Sequence, residues 1–158
     1  LVRSRGLGDV YKRQIQNRPE EPPMSTSPMH DPAAEILALN QQLLDAIAGG
    51  DWDAYRRLVA DDITCFEPEA DGHLVEGLPF HEFYFKLGED RPQPPKHLTT
   101  TMASPKVRLL SEGAALIAYV RLVQKLDAEG RPITVSSEET RIWQKLGGQW
   151  RHVHFHRG

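Results

Sequence analysis

The chain has 158 residues, of which 39% are hydrophobic and 26% are charged, and this balance is typical of one globular domain with a real core. The formal net charge of −3 provides no basic field, so we predict neither a nucleic-acid partner nor an anionic membrane surface as partner. The longest apolar run, residues 114–120, is far shorter than the ~20 residues that cross a bilayer. A single cysteine, Cys65, cannot form an internal disulfide, which favours a reducing compartment and a cytoplasmic location.

The first residues differ in composition from the rest, because regular apolar patterning begins only after Asp31. Residues 1–14 resemble translated sequencing-adapter read-through, so we expect 1–23 to be a non-native leader, with a disordered basic tail as the alternative. This segment holds five basic and three acidic residues, and the remainder therefore has a net charge of −5. We expect a flexible N-terminus over 24–32 and one domain over 33–158.

Two helices are predicted at the start of the domain. Asp31 and Pro32 are typical of a helix N-terminus, and Gly49 and Gly50 of its end. Between them apolar residues recur at helical spacing, at Ile36, Leu39, Leu43, Leu44 and Ile47. Asp51 then caps a second, shorter helix that contains Trp52, Tyr55 and Leu58.

Extended segments follow the two helices. We predict strands near 63–67 and 73–75, a third short helix around 80–84, and four strands from His97 onward, separated by Gly-, Pro- and Ser-containing turns. The order α-α-β-β-α-β-β-β-β predicts an α+β fold, in which helices cover one face of a curved antiparallel sheet.

Charged residues occupy unexpected positions in two of the predicted strands. In 115–123, Arg121 shares a strand face with mainly apolar residues, and in 135–143 one face carries Glu139, Arg141 and Trp143. One interpretation is a cross-strand ion pair on the solvent face. The other is a pocket inside the sheet, where Arg121 and Arg141 hold an anion such as a carboxylate by forked hydrogen bonds. Spacing alone leaves both interpretations open.

Other chemistry-bearing residues lack a complete motif. By strand alternation His152, His154 and His156 share one face, but i to i+4 spans ~13 Å, too far for one ion. We predict no metal, because no cysteine or carboxylate is spaced to complete a site with these histidines, and no cofactor, since phosphate-loop, kinase and hydrolase motifs are absent from the sequence. Cys65 is expected to be a buried small hydrophobe, and Glu67 and Glu69 to be loop residues.

Five ordered segments carry a resemblance to a known family: DAIAGGDWDAY (45–55), FEPEADGHLVEGLPFHEFYF (66–85), IAYVRLVQ (117–124), SEETRIW (137–143) and VHFHRG (153–158). They resemble the association, or hub, domain of calcium/calmodulin-dependent protein kinase II. That domain belongs to the nuclear transport factor 2-like superfamily, with SnoaL-like cyclases and ketosteroid isomerases as enzymatic relatives. The resemblance implies a cone-shaped fold with a long N-terminal helix and two short ones on a strongly curved antiparallel sheet, a deep pocket, and dimers assembled into a stacked ring.

The resemblance also bears on the pocket, because Arg121 and Arg141 match pocket arginines of the family. The candidate ligand-binding residues are Arg121, Arg141, Tyr119, Glu139, Tyr84 and His97. Two departures affect ligand preference. Thr99 stands where the family has a pocket histidine, with only His97 nearby, and Ile133 stands at a further pocket arginine, with Arg131 displaced by two.

The expected function is a non-catalytic, self-associating domain with a cationic pocket for a small carboxylate. Because these residues contain neither a kinase motif nor a calmodulin-binding segment, we expect a stand-alone hub-type domain. The alternative is a small SnoaL-like or ketosteroid-isomerase-like enzyme that uses Glu139, His97 or Tyr84 as an acid or base. Against it, Arg141 lies two residues from Glu139 on the same strand face, which would make Glu139 a weak base.

Overall fold

The computed structural model of the chain describes residues 31–89 and 97–158. Three helices are present, α1 (Pro32–Gly49), α2 (Trp52–Leu58) and α3 (Pro79–Glu89). The strands are β1 (Val59–Phe66), β2 (Val75–Glu76), β3 (Thr99–Ser111), β4 (Ala114–Leu126), β5 (Pro132–Leu146) and β6 (Gln149–Arg157), with a 3-10 helix at Pro68–Ala70. The predicted order of elements is confirmed. The proposed leader, 1–23, lies outside the described residues.

The starts of the first two helices are fixed by aspartate side chains, as predicted. Asp31 Oδ1 accepts a hydrogen bond from the backbone N–H of Ala33 at 3.0 Å, and Asp51 Oδ1 accepts one from Ala54 at 2.8 Å. Between the helices the chain reverses at Gly50, whose φ of +68° is a left-handed conformation that glycine adopts without a steric penalty. These caps orient the apolar side of α1 toward the sheet.

The six strands form one curved sheet in the order β2-β1-β6-β5-β4-β3. Neighbouring strands are antiparallel except β1 and β6, which pair in parallel. This pair joins the first long strand of the chain to the last one. Only the folded chain brings them together, because α3 and four strands separate them in sequence.

A β-bulge in β6 changes which histidines share a face. Ile142 pairs with His154 and Trp143 pairs with His152, so Val153 is the extra residue. His152 is therefore buried and stacks against Phe155, whereas His154 and His156 lie on the outer face of the sheet near Phe66. The expectation that the three histidines share one face is wrong, because the bulge interrupts strand alternation between them.

The core lies between α1 and the inner face of the sheet. Ile36, Leu43 and Leu44 from α1 belong to the same buried cluster as Ile117 and Trp143 from the sheet. The helix also contributes one buried polar residue to this layer. Asn40 accepts a hydrogen bond from Trp143 Nε1 at 3.2 Å and directs its amide toward Met102 Sδ at 3.1 Å.

Among the described residues, no helix combines the length and apolar character needed to span a membrane.

We expect Asn40→Ala to destabilise the fold by about 2 kcal/mol, because the buried Trp143 N–H loses its acceptor and is shielded from water. The measurement is chemical denaturation at fixed protein concentration. The control is Gln42→Ala at an exposed position on the same helix, for which we expect a change within about 0.5 kcal/mol. Equal effects of the two substitutions would contradict a role for this hydrogen bond.

Candidate functional site

A cavity of about 250 Å³ opens where the ends of several elements converge on the inner face of the sheet. Its walls include Tyr84 and Phe85 from α3, Tyr55 from α2 and Phe155 from β6. Its charged lining residues are Arg121, Arg141, Arg157, Glu67 and Glu69. The cavity therefore combines apolar rings with charged groups of both signs, as small-molecule sites commonly do.

The inner end is built around a buried ion pair between Arg141 and Glu139. Arg141 is 1% exposed and Glu139 is 2% exposed, so the solvent-face interpretation of this pair is wrong. Arg141 Nε and Nη2 donate to Glu139 Oε2 at 3.0 and 2.8 Å. Tyr119 donates to the same oxygen at 2.5 Å and accepts from Arg141 Nε at 2.8 Å. Arg141 also lies over the ring of Phe155 at 4.5 Å.

These contacts keep Glu139 ionised. Burial by itself raises the pKa of Glu139, but the charges of Arg141 and Arg121 and the hydrogen bond from Tyr119 outweigh it. The net pKa lies below the usual range of a glutamate. A carboxylate held in this way accepts a proton poorly, which disfavours Glu139 as a general base.

Arg121 makes fewer contacts than Arg141. Its Nε donates to Thr100 Oγ1 at 3.2 Å, and its Nη1 lies 3.6 Å from Glu139 Oε1. That buried Oε1 atom has no hydrogen-bond partner among the described residues. Among the described residues, Arg121 therefore has more N–H groups without an acceptor than Arg141, whose three guanidinium nitrogens all have a hydrogen-bond partner.

The outer end contains a second ionic cluster. Arg157 Nη2 donates to Glu67 Oε2 at 3.0 Å and also to Glu69 Oε2. The hydrogen bond from Arg157 lowers the pKa of Glu69 below its usual range. Glu67 lies in the connection after β1, as expected, whereas Glu69 belongs to the 3-10 helix Pro68–Ala70, and both line the cavity.

The structure brings most of the sequence-predicted site residues together. Arg121, Arg141 and Tyr84 line the cavity. Tyr119 and Glu139 are not among the lining residues, but both accept hydrogen bonds from Arg141. The remaining candidate, His97, is exposed just before β3 and is not among the lining residues.

The two positions that depart from the family pattern, Thr99 and Ile133, are not among the residues that line the cavity. Thr99 and Ile133 are exposed, and Arg131 pairs with Asp127 and Glu129 in the turn between β4 and β5. Arg131 therefore does not replace the missing pocket arginine.

Sequence reasoning missed several lining residues. Arg157 could have been found, because it follows Phe155 by two residues in a strand and ends the motif VHFHRG. Tyr55 and His81 gave no separate signal, because each belongs to an amphipathic helix whose aromatic residues indicate packing only.

His81 is a buried imidazole in the cavity wall. Its Nδ1 lies 3.3 Å from the hydroxyl of Tyr55, and its Nε2 lies 3.9 Å from Cys65 Sγ. Burial, with a smaller contribution from the charge of Arg141, lowers the pKa of His81 to about 4. Burial likewise raises the pKa of Cys65 to about 12, so the thiol is not an activated nucleophile. No group of three metal-ligating side chains is found in the described parts of the chain.

Comparison with known proteins identifies the family. The family model described as the calcium/calmodulin dependent protein kinase II association domain matches residues 32–158. The chain belongs to this family. A curated relative, the delta subunit of calcium/calmodulin-dependent protein kinase type II from Oryctolagus cuniculus, is 47% identical over 123 residues, which cover 78% of this chain and 23% of the relative. This association-domain chain thus spans about a quarter of that protein's length.

Solved structures agree with the assignment. The CamKII hub homology domain of Chlamydomonas reinhardtii is 51% identical, with a TM-score of 0.76, and the match covers 81% of this chain and 98% of that one. An NTF2-like protein from Pseudomonas putida is 17% identical, with a TM-score of 0.63, over 80% of this chain and 85% of that one, and it shares the fold. The association domain therefore has the expected nuclear transport factor 2-like architecture.

The neutral His81 predicts that this association domain loses stability in acid. In the unfolded chain the imidazole takes up a proton near pH 6.5, whereas in the fold it stays neutral down to about pH 4. The unfolded chain then binds more protons between these values, so the free energy of unfolding falls as the pH drops from 6.5 to 4. The contribution of His81 to this loss is on the order of 3 kcal/mol.

We expect His81→Gln to reduce this pH dependence, measured by denaturant unfolding between pH 4 and pH 8. His73→Gln, at an exposed position, is the matched control and should behave like the unchanged protein. If His81→Gln and the unchanged protein lost stability in parallel on acidification, the assignment to His81 would be wrong.

Proposed function

We propose that this association domain assembles with copies of itself and that its cavity binds a small carboxylate. The support for assembly is the outer face of the sheet, and the support for ligand binding is Arg121. These two features lie on opposite faces of the same strand, β4.

The outer face of β4 is apolar although no other element of the described chain covers it. Leu116, Ala118, Val120 and Leu122 follow one another on this face, and Ile142 pairs beside Leu116. All five side chains are only partly buried. The solvent-facing side of an antiparallel sheet normally alternates to polar residues, and a continuous apolar strip of this kind marks an interaction surface.

Charged residues border this strip on both sides. Arg108 pairs beside Leu116 and Lys106 beside Ala118, while Glu138 pairs beside Val120 on the opposite side. An apolar centre with a charged border is the usual anatomy of a protein interface. Basic residues on one side and an acidic residue on the other suit a contact between two copies related by a two-fold axis. The family resemblance adds the expectation that such dimers assemble into a stacked ring.

The carboxylate site is supported by the donors of Arg121. A guanidinium recognises a carboxylate through two parallel hydrogen bonds, which requires donors that are not already saturated. Arg141 contacts Glu139 through Nε and Nη2 and His152 through Nη1, whereas Arg121 has one hydrogen bond, to Thr100, and a longer ion pair. We therefore assign ligand contact chiefly to Arg121 and the positioning of the inner wall to Arg141, Tyr119 and Glu139.

An enzymatic function receives less support from the geometry. Glu139 is a poor base in its present contacts, and His97 lies outside the cavity. Tyr84 remains a cavity residue that could contact a ligand. The enzyme alternative and the cytoplasmic location both stay predictions.

We expect Arg121→Ala to weaken binding of pentanoate at least tenfold, because the ligand loses a charge-assisted pair of hydrogen bonds. Isothermal titration calorimetry measures the affinity, and a thermal unfolding curve confirms that the variant is folded. The matched control is Arg131→Ala, which removes an exposed arginine outside the cavity. If the unchanged protein binds neither pentanoate nor any other short-chain carboxylate, the ligand part of the proposal fails.

We expect Ala118→Glu to dissociate the assembly, because it places a charge in the middle of the apolar strip. Ala128→Glu makes the same substitution in the exposed turn between β4 and β5 and should leave the assembly intact. Light scattering at micromolar concentration gives the mass of each variant. A monomeric mass for the unchanged protein would contradict self-association, and an unaltered mass for Ala118→Glu would contradict this interface.

A further inference from the structure

The charges of the cavity form two groups of opposite net sign. At the inner end two arginines, Arg121 and Arg141, face the single carboxylate of Glu139, which leaves a net charge of +1. At the outer end one arginine, Arg157, faces both Glu67 and Glu69, which leaves a net charge of −1. The positive character expected of the pocket is thus confined to its inner end.

This distribution disfavours a ligand with one charge. A plain carboxylate would neutralise the inner end but leave the outer end negative, and a plain amine would do the reverse. The side chains of the inner end are 0–12% exposed, whereas those of the outer end are 12–39% exposed. Uncompensated charge is most costly where burial is greatest, so the carboxylate of a ligand belongs at the inner end and its cation at the outer end.

The strand order sets the distance between the two groups. Arg121 lies on β4 and Glu67 follows β1, and these strands are three positions apart in the sheet. Three strand spacings amount to ~14 Å between the backbones, and the side chains approach each other from both ends. We take this arrangement to favour a ligand whose two charges stand several bonds apart over an α-amino acid, whose charges lie on adjacent carbon atoms.

The walls between the two groups suit a hydrocarbon chain. Ile47, Phe85 and Phe155 line the same cavity and offer apolar surface to methylene groups. A volume of about 250 Å³ accommodates a flexible chain of about five carbon atoms with a charged group at each end.

We propose that the cavity binds an ω-amino acid, with its carboxylate on Arg121 and its ammonium group between Glu67 and Glu69. This inference rests on the proposed carboxylate site and adds the second charge and the chain length. The ammonium group shares the two glutamates with Arg157, which supplies only one positive charge for two carboxylates.

The test compares four ligands of five carbon atoms by isothermal titration calorimetry on the full chain. We expect 5-aminopentanoate to bind about tenfold more tightly than pentanoate, since it adds one charge-assisted contact. Pentylamine and 2-aminopentanoate should bind more weakly than 5-aminopentanoate by at least the same factor. The last compound is an isomer with the same charges, so it tests their separation alone.

A variant locates the ammonium group. We expect Glu69→Gln to remove the preference for 5-aminopentanoate over pentanoate, because the ammonium group loses one of the two carboxylates it contacts. Glu129→Gln removes an exposed carboxylate outside the cavity and should preserve the preference. Because Glu69 is partly exposed, its amide variant is expected to fold, and a thermal unfolding curve verifies this.

The outcomes separate this inference from the proposed function. Pentanoate binding as tightly as 5-aminopentanoate overturns the ω-amino acid and leaves the carboxylate site intact. Equal affinities for 5-aminopentanoate and 2-aminopentanoate, or a preference that persists in Glu69→Gln, also overturn it. If pentylamine binds and no carboxylate does, both the inference and the carboxylate site are wrong.

Discussion

The buried Arg141–Glu139 pair is the constraint on which the site depends. A guanidinium that is 1% exposed is tolerated only when its charge and its N–H groups are matched, and loss of one partner of such a pair typically costs about 3–5 kcal/mol. Glu139 supplies the charge, Tyr119 supplies an acceptor, and Phe155 covers the guanidinium. These neighbours come from three adjacent strands, so the pair holds the inner wall of the cavity in one arrangement.

Because Glu139 accepts two hydrogen bonds from Arg141, it makes only a longer ionic contact with Arg121, the other arginine at the inner end. Arg121 approaches the second oxygen of Glu139 only to 3.6 Å, and that oxygen has no hydrogen-bond partner among the described residues. This unequal sharing of one carboxylate between two arginines is the basis for the proposal that Arg141 positions the wall and Arg121 contacts the ligand. The same residues that keep Glu139 ionised also make it a poor catalytic base.

The proposed assembly surface and the proposed ligand contact lie on the two faces of β4. Odd-numbered residues such as Ile117 and Arg121 face the core and the cavity, and even-numbered ones such as Ala118 and Val120 form the apolar outer strip.

The sequence by itself determined the helices, the four long strands and the family, because caps, periodicity and ordered motifs are local properties of the chain. It also placed Arg121 and Arg141 on strand faces, since alternation is a regular feature of strands. Only the tertiary structure decided that Glu67, Glu69 and Arg157 meet at the cavity. That contact depends on the parallel pairing of β1 with β6 across most of the chain, and no local pattern encodes such a pairing. The bulge at Val153 likewise reassigned His152 to the core, because the extra residue is defined by the register with β5 and not by the composition of β6.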